Sequence, residues 1–330
     1  MKIYALEEHL ATPDVVEAWR RTDGALAEPM MKWAIDSDTT VDLLDLGEGR
    51  LAAMDDAGID VAVLSVTTPG LQNLTARDAV ALQVPTNDVI AAAVSRHPER
   101  LQGFATLATP DPAAAAAELG RAVRQLGLAG AMVNARSGEQ GVDGTEFWDI
   151  YEAAEDLRAP IYLHPRAPLP LVNQAYYSGF GDDRVDSLLA TGGIGWHYDA
   201  GVVVVRMIVS GLFDRFPDLR VILGHWGEVV LFYLDRISVM DRVTQLQRPV
   251  AEYFGSNIYV TPGGISSHRY LRWSLETVGV DHVMYATDYP YNREANGSAR
   301  RFLETAPISD ADREQIAFGN WERLVSEIVR

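Results

Sequence analysis

Glu7 and His9 stand two residues apart near the start of the chain, in ALEEH. Alternate residues of extended backbone point to the same side, so this pair can bring a carboxylate and an imidazole to one point. Three residues of similar chemistry close apolar runs elsewhere: His164 in PIYLHP, His225 in VILGHWGE and Asp288 in MYATDYP. The chain contains no cysteine. That removes thiolate nucleophiles, disulfides, iron–sulfur clusters and thiolate zinc sites together. A metal in this protein must be held by His, Asp, Glu or backbone oxygen. A single ion so held can lower the pKa of a bound water for hydrolysis, or chelate a substrate and stabilise developing negative charge.

Each residue also has a plain structural reading. A histidine beside an apolar strand is often a hydrogen-bonded core residue, and an aspartate after a strand is often a helix cap. Their common position along the chain argues for more. Apolar runs occur at 2–6, 61–66, 101–107, 130–134, 160–164, 220–224, 257–261 and 282–287. Most lack polar alternation, as expected of strands covered on both faces. Helical patterns at 48–57, 86–96, 112–127, 144–157, 202–213 and 228–243 lie between them. This alternation predicts an α/β fold, a closed (β/α)8 TIM barrel, with an open doubly wound sheet as the alternative. In the barrel, Glu7 and His9 follow strand one, and His164, His225 and Asp288 end strands five, six and eight. All five then meet on the face where barrel enzymes keep their chemistry.

The segments 13–45 and 165–201 are longer than barrel connections require and carry Trp19, Trp33, Tyr176, Tyr177, Phe180 and Trp196. They are expected to lie over that face. The pieces 298–304, 310–317 and 321–329 read as extra closing helices. With no linker, residues 1–330 are read as one domain. The other histidines take plainer roles. His97 reads as a helix C-terminal cation, His282 starts a strand on the opposite face, and His197 and His268 lie in connections within possible reach of the site.

Lys plus Arg is 28 and Asp plus Glu is 46, a formal net charge of −18. Such a chain repels phosphate backbones, so nucleic acid is excluded as a partner. The most apolar segment, 201–213, is too short to span a membrane and contains Arg206. Glu7 and Glu8 stand where a leader peptide needs an apolar stretch. A soluble, cytoplasmic protein is expected.

The chain resembles the amidohydrolase superfamily, in the branch of γ-resorcylate (2,6-dihydroxybenzoate) decarboxylase and aminocarboxymuconate-semialdehyde decarboxylase. The resemblance rests on ALEEH at 5–9, RLAAMDDAGID at 50–60, LHPR at 163–166, SGLFDRFPDLRVILGHWGE at 210–228, ATDYP at 286–290 and FGNWERL at 318–324. Two departures from the wider superfamily matter. Glu7-Glu8-His9 replaces the usual His-x-His, and GAMVNA at 130–135 has no strand-four lysine to bridge two metals. Both point to one divalent ion, Zn²⁺ or Mn²⁺, with no organic cofactor. The ligands that the resemblance implies are Glu7, His9, His164 and Asp288.

The implied reaction is a non-oxidative decarboxylation of an ortho-hydroxybenzoate, a small aromatic carboxylic acid, with Asp288 delivering a proton to the ring carbon. His225 is expected to hydrogen-bond Asp288 or the substrate. Glu228 is placed to orient His225, or else is a favourable acid in a first helical turn. The family also suggests two arginines for the substrate anion: Arg50, and Arg236, the latter in its own or a neighbouring subunit. Tyr291 and Trp196 are candidates to hold an aromatic ring. A homodimer or homotetramer is implied. Related chains with the same ligands carry out hydrolysis, so a mononuclear hydrolase of a lactone, amide or cyclic substrate is the alternative.

Overall fold

The structure is a computed structural model that describes residues 1–22 and 28–330. Residues 23–27, part of the long segment expected at 13–45, lie outside the described residues. The apolar runs form parallel strands: β1 (Tyr4–Leu10), β2 (Val61–Val66), β3 (Leu101–Gly103), β4 (Ala105–Thr106), β5 (Ala131–Asn134), β6 (Ile161–His164), β7 (Val221–Leu223) and β8 (Ile258–Val260). Their order is β1-β2-β3 in one sheet and β4-β5-β6-β7-β8 in the other. The two sheets join at Phe104, whose N–H donates to Leu64 O at 2.8 Å, while Ala105 N–H donates to Gly130 O at 2.8 Å. β3 and β4 therefore act as one bent strand, which was expected as a single run at 101–107.

The run at 282–287 was expected to be an eighth barrel strand. It does not form a regular ladder, although its backbone lies between β8 and β1. Met284 N–H donates to Val260 O at 2.9 Å, and Tyr285 O accepts from Leu6 N–H at 3.0 Å. Beyond that, Thr287 N–H and Oγ1 turn to the Glu8 carboxylate at 3.0 and 2.7–2.8 Å. A side chain takes the place of a strand carbonyl, which interrupts the ladder until His9 N–H donates to Tyr289 O at 2.7 Å. The first strand also differs from expectation. It runs on through Glu7 and His9 rather than ending before them, with a register irregularity between Ala5 and Glu8.

The strands are buried on both faces, as their apolar runs required. Helix Glu48–Ala57 has the expected bounds. The helix expected at 86–96 starts earlier, as Ala76–Arg96: Thr75 caps it by accepting from Asp78 N–H, and Pro85 is accommodated inside. The helix expected at 112–127 is Pro112–Arg124, capped by Asp111. That expected at 144–157 opens on a tight turn before Trp148–Asp156. That expected at 202–213 becomes Gly195–Val209 and Leu212–Arg215, parted at Gly211, whose φ of +79° suits glycine. That expected at 228–243 becomes Val230–Ile237 followed by a tighter turn.

Two nearly buried ion pairs hold the insertions, the first joining them to each other and the second joining one to the segment after β5. Arg166 donates to Glu28 at 3.3 Å, and Arg136 to Asp199 at 2.8 Å. The C-terminal pieces form helices Ser298–Glu304, Asp310–Glu314 and Asn320–Ser326. Among the described residues no helix is long and apolar enough to cross a membrane.

Candidate metal centre

Glu7, His9, His164 and Asp288 are all buried, and each offers a ligand atom within 4.8 Å of the others. His164 Nε2 lies 3.2 Å from Glu7 Oε1, and His9 Nε2 lies 3.2 Å from Asp288 Oδ1. Glu7 Oε1 and His9 Nε2 have no hydrogen-bond partner despite complete burial. Such orphaned atoms carry a desolvation cost of about 1–3 kcal/mol or more, which a bound cation removes. A donor set of two imidazoles and two carboxylates suits Zn²⁺ or Mn²⁺. The residues present therefore fit one divalent ion.

Neighbouring groups aim these ligands. His164 Nδ1–H donates to Pro165 O at 2.8 Å, an acceptor only, so the Nε2 lone pair faces the centre. Ser65 is the register partner of His9, and its Oγ lies 3.3 Å from His9 Nδ1. Tyr162 OH donates to Glu7 Oε2 at 2.5 Å and lies 2.7 Å from Thr261 Oγ1. Asn292 Nδ2 donates to Asp288 Oδ2 at 3.0 Å. Space for the Glu7 carboxylate comes from Gly224 and Gly263, whose added Cβ atoms would each lie 3.0 Å from Glu7 Oε2.

His225 follows β7 on a short left-handed turn. Positive φ values run from His225 at 46°, through Trp226 and Gly227, to Glu228 at 53° and Val229 at 62°. Each non-glycine residue there costs about 1–2 kcal/mol, so its surroundings must hold it. Trp226 does so, donating from its backbone to Thr261 O and from Nε1 to Ile265 O, both at 2.8 Å. The turn brings Glu228 Oε1 to 2.7 Å from His225 Nδ1. His225 Nε2 then faces the ligand group, 4.0 Å from Glu7 Oε1. The expected bond from His225 to Asp288 is not formed; its nearest acidic neighbour in the ligand group is Glu7.

Electrostatics follow from this packing before any metal binds. Burial alone would push the Glu7 carboxyl up, but the His225, His164 and His9 imidazoles hold it down to about 2. Burial disfavours the His225 imidazolium, yet Glu228 and Glu7 together raise it to about 10. Glu8, on the other side of β1, is pushed up to about 8 by burial, against the opposing pull of Thr287 and Arg50.

The remaining expected site residues divide. The Tyr291 ring packs edge-on to His9 at 5.7 Å, with its OH 2.9 Å from Thr67 Oγ1. The Trp196 ring lies 6.1 Å from His164. Arg50 is buried and donates from Nη2 to the carbonyls of His9 and Asp42, at 2.6 and 3.2 Å, and from Nε to that of Asp45 at 3.0 Å, while its Nη1 has no hydrogen-bond partner. That makes it a backbone clamp. Arg236 is exposed on helix Val230–Ile237, and a single chain does not bring it to the ligand group. His97 caps the helix Ala76–Arg96. His268 and His282 bond to backbone carbonyls elsewhere.

Sequence reasoning passed over Ser65, Tyr162 and Thr261, which stand in apolar runs and read as core. Tyr162 had a usable signal, because it precedes His164 by two residues on the same strand and so shares its face. His197 lies closer than expected, with Nδ1 2.8 Å from Glu228 Oε2. A cavity of about 320 Å³ is lined by His197, His225, Trp226, Phe232, Tyr270 and Trp273. That volume is within the range of small-molecule sites.

Residues 35–326 match the amidohydrolase family. The chain is 33% identical over 340 residues to a γ-resorcylate decarboxylase of a Polaromonas species, covering 97% of each chain. The crystal structure of 5-carboxyvanillate decarboxylase from Sphingomonas paucimobilis superposes with a TM-score of 0.90, at 34% identity, over 99% of each chain. A dihydroxybenzoic acid decarboxylase from Polaromonas, solved with manganese and the inhibitor 2-nitroresorcinol, gives a TM-score of 0.84 at 30% identity, covering 98% of this chain and 97% of its own.

Proposed function

The chain belongs to the amidohydrolase family, and from that premise we propose that it is a divalent-metal-dependent, non-oxidative decarboxylase of an ortho-hydroxylated aromatic acid. What carries this reading is the convergence of Glu7, His9, His164 and Asp288, two of whose donor atoms are buried without partners. The three relatives compared above are a γ-resorcylate, a 5-carboxyvanillate and a dihydroxybenzoic acid decarboxylase.

Glu7, His9, His164 and Asp288 would hold Zn²⁺ or Mn²⁺, and such an ion would supply a positive charge that attracts the substrate anion and stabilises developing negative charge. Asp288, which takes up a proton as the substrate binds and water is excluded, delivers it to the ring carbon that bears the carboxylate. A C–H bond forms, the bond to the carboxylate breaks, and its electron pair restores the aromatic ring as CO₂ leaves. Asn292 on Oδ2 and His9 beside Oδ1 fix the carboxyl group for that transfer. His225, held by Glu228 through Nδ1, points Nε2 at the site and, as the imidazolium, would donate from it to the substrate anion. The Trp196 and Tyr291 rings, beside His164 and His9, supply walls for a flat ring. No organic cofactor is required, because the ortho-hydroxyl and the ion together accept the charge.

We place this activity in a single barrel domain in the cytoplasm. A homo-oligomer is supported by exposed Tyr198, Val202, Tyr233 and Val239 on one apolar face. Arg236 borders that same face, which favours a neighbouring copy as the one it serves.

The test is a product assay on protein loaded with Mn²⁺ or Zn²⁺, using a panel of ortho-hydroxybenzoates. CO₂ release by the wild type that is lost in Asp288→Asn is expected. Stoichiometric metal with no CO₂ from any acid, but ¹⁸O from labelled water entering a lactone or amide, would overturn the proposal in favour of a hydrolase.

A further inference from the structure

His197, outside the ligand group and in the insertion over the mouth, sits at the centre of a directional hydrogen-bond chain. Trp196 Nε1–H can only donate, and it points at His197 Nε2 at 3.1 Å. Gly192 O lies farther from the same nitrogen, at 3.4 Å. A proton on Nε2 would set two donors against each other across the shorter contact, so the ring proton belongs on Nδ1. Nδ1–H then donates to Glu228 Oε2 at 2.8 Å. The other oxygen of Glu228 accepts from His225 Nδ1–H at 2.7 Å. Glu228 is completely buried and has these two imidazoles on its two oxygens, and the two rings stand 4.6 Å apart.

From this geometry we propose that His197 is a positioning residue for the reaction, which acts through Glu228 to hold the Nδ1–H contact and the aim of His225. The inference deepens the decarboxylase reading and rests on it for its kinetic consequence. Trp196 sets the proton of His197, His197 occupies one carboxylate oxygen, and the remaining oxygen is left to His225 alone. His225 Nδ1 thereby keeps its proton, and Nε2 is the nitrogen presented to the site. Without His197, Oε2 is buried and unpaired, and the carboxylate can rotate away from His225.

Two measurements test this. The first is ¹⁵N-imidazole NMR of the zinc-loaded wild type, which reads the tautomer of each histidine. A proton on Nδ1 and none on Nε2 of His197 is expected, and a proton on Nε2 of His197 overturns the proposal. The second is a kinetic series. The amide nitrogen of Asn falls where Nδ1 stands in His, so His197→Asn keeps the donor to Glu228, whereas His197→Leu removes it. A loss of about 10–100-fold in kcat is expected for His197→Leu, with KM little changed, and of less than about tenfold for His197→Asn. A His197→Leu enzyme with wild-type kcat, or a folded His197→Asn enzyme as slow as His197→Leu, overturns the proposal. If no acid yields CO₂ with the wild type, the decarboxylase reading fails by itself, and the NMR measurement still decides the hydrogen-bond chain.

Discussion

Replacing Tyr162 with Phe removes one oxygen atom and tests whether Glu7 is held for a metal. The Tyr162 hydroxyl donates to Glu7 Oε2 at 2.5 Å, and Thr261 Oγ1 lies 2.7 Å from it. All three residues are fully buried, so no water replaces the lost bond. A hydrogen bond to a charged group contributes about 1.5–3 kcal/mol. Groups that orient metal ligands typically change affinity by about 10–100-fold, or about 1.4–2.7 kcal/mol, so the two estimates agree. One effect opposes the loss: without the tyrosine the carboxylate becomes a more basic ligand. That gain is minor near neutral pH, because the three imidazoles hold Glu7 near 2 and keep it ionised with or without Tyr162. Loss of orientation therefore wins. Competition for Mn²⁺ against a chromogenic chelator should show Tyr162→Phe weakened by about 10–100-fold. Thr261→Val should cost less, since Tyr162 can still donate to Glu7, and the double variant should resemble Tyr162→Phe. A Kd within about twofold of wild type in a variant whose Tm has fallen would refute the reasoning and leave Tyr162 as packing alone.

Gly263→Ala places a Cβ 2.6 Å from His225 N and 3.0 Å from Glu7 Oε2, at a φ of +49°. Loss of metal affinity by more than about tenfold is expected, together with about 1–3 kcal/mol of stability, read by titration and thermal unfolding. Glu8 gives a pH signature in the metal-free protein. Its folded pKa, pushed up to about 8 by burial, exceeds its ordinary 4.5. Between those values the folded state binds more protons than the unfolded one, so this contribution is fully present below about pH 4.5 and declines as pH rises to about 8. Glu8→Gln, which still accepts from Thr287, should flatten the fall of Tm across that window. An unchanged slope would show that Glu8 is not the source.

The sequence by itself determined what short-range periodicity encodes. The apolar runs marked β1, β2 and β5 to β8 within a residue or two at most boundaries, apart from the extended end of β1. Glu7 and His9 share a face because a strand repeats every two residues. His164 closes β6 as its apolar run implied, and the parallel barrel arrangement followed from the alternation of strands with helices. These features depend on neighbours in the chain, so they are legible there.

Tertiary structure decided the rest, because it rests on contacts between residues far apart in the chain. Ser65 reaches His9 only through the register of β1 and β2. Tyr162 and Thr261 read as core until the barrel turns both toward Glu7. The 282–287 run read as a strand, but the Glu8 carboxylate captures the Thr287 N–H, and only folding brings those residues together. Arg50 read as an anion binder, while the fold surrounds it with carbonyls. The left-handed turn at 225–229 is costly for its residue types, and distant Thr261 and Ile265 hold it through Trp226. His197 meets Glu228 across 31 residues, on the same terms. Local pattern selects the elements and the ligands that end them, whereas the groups that aim those ligands are set by which strands and insertions the fold makes neighbours.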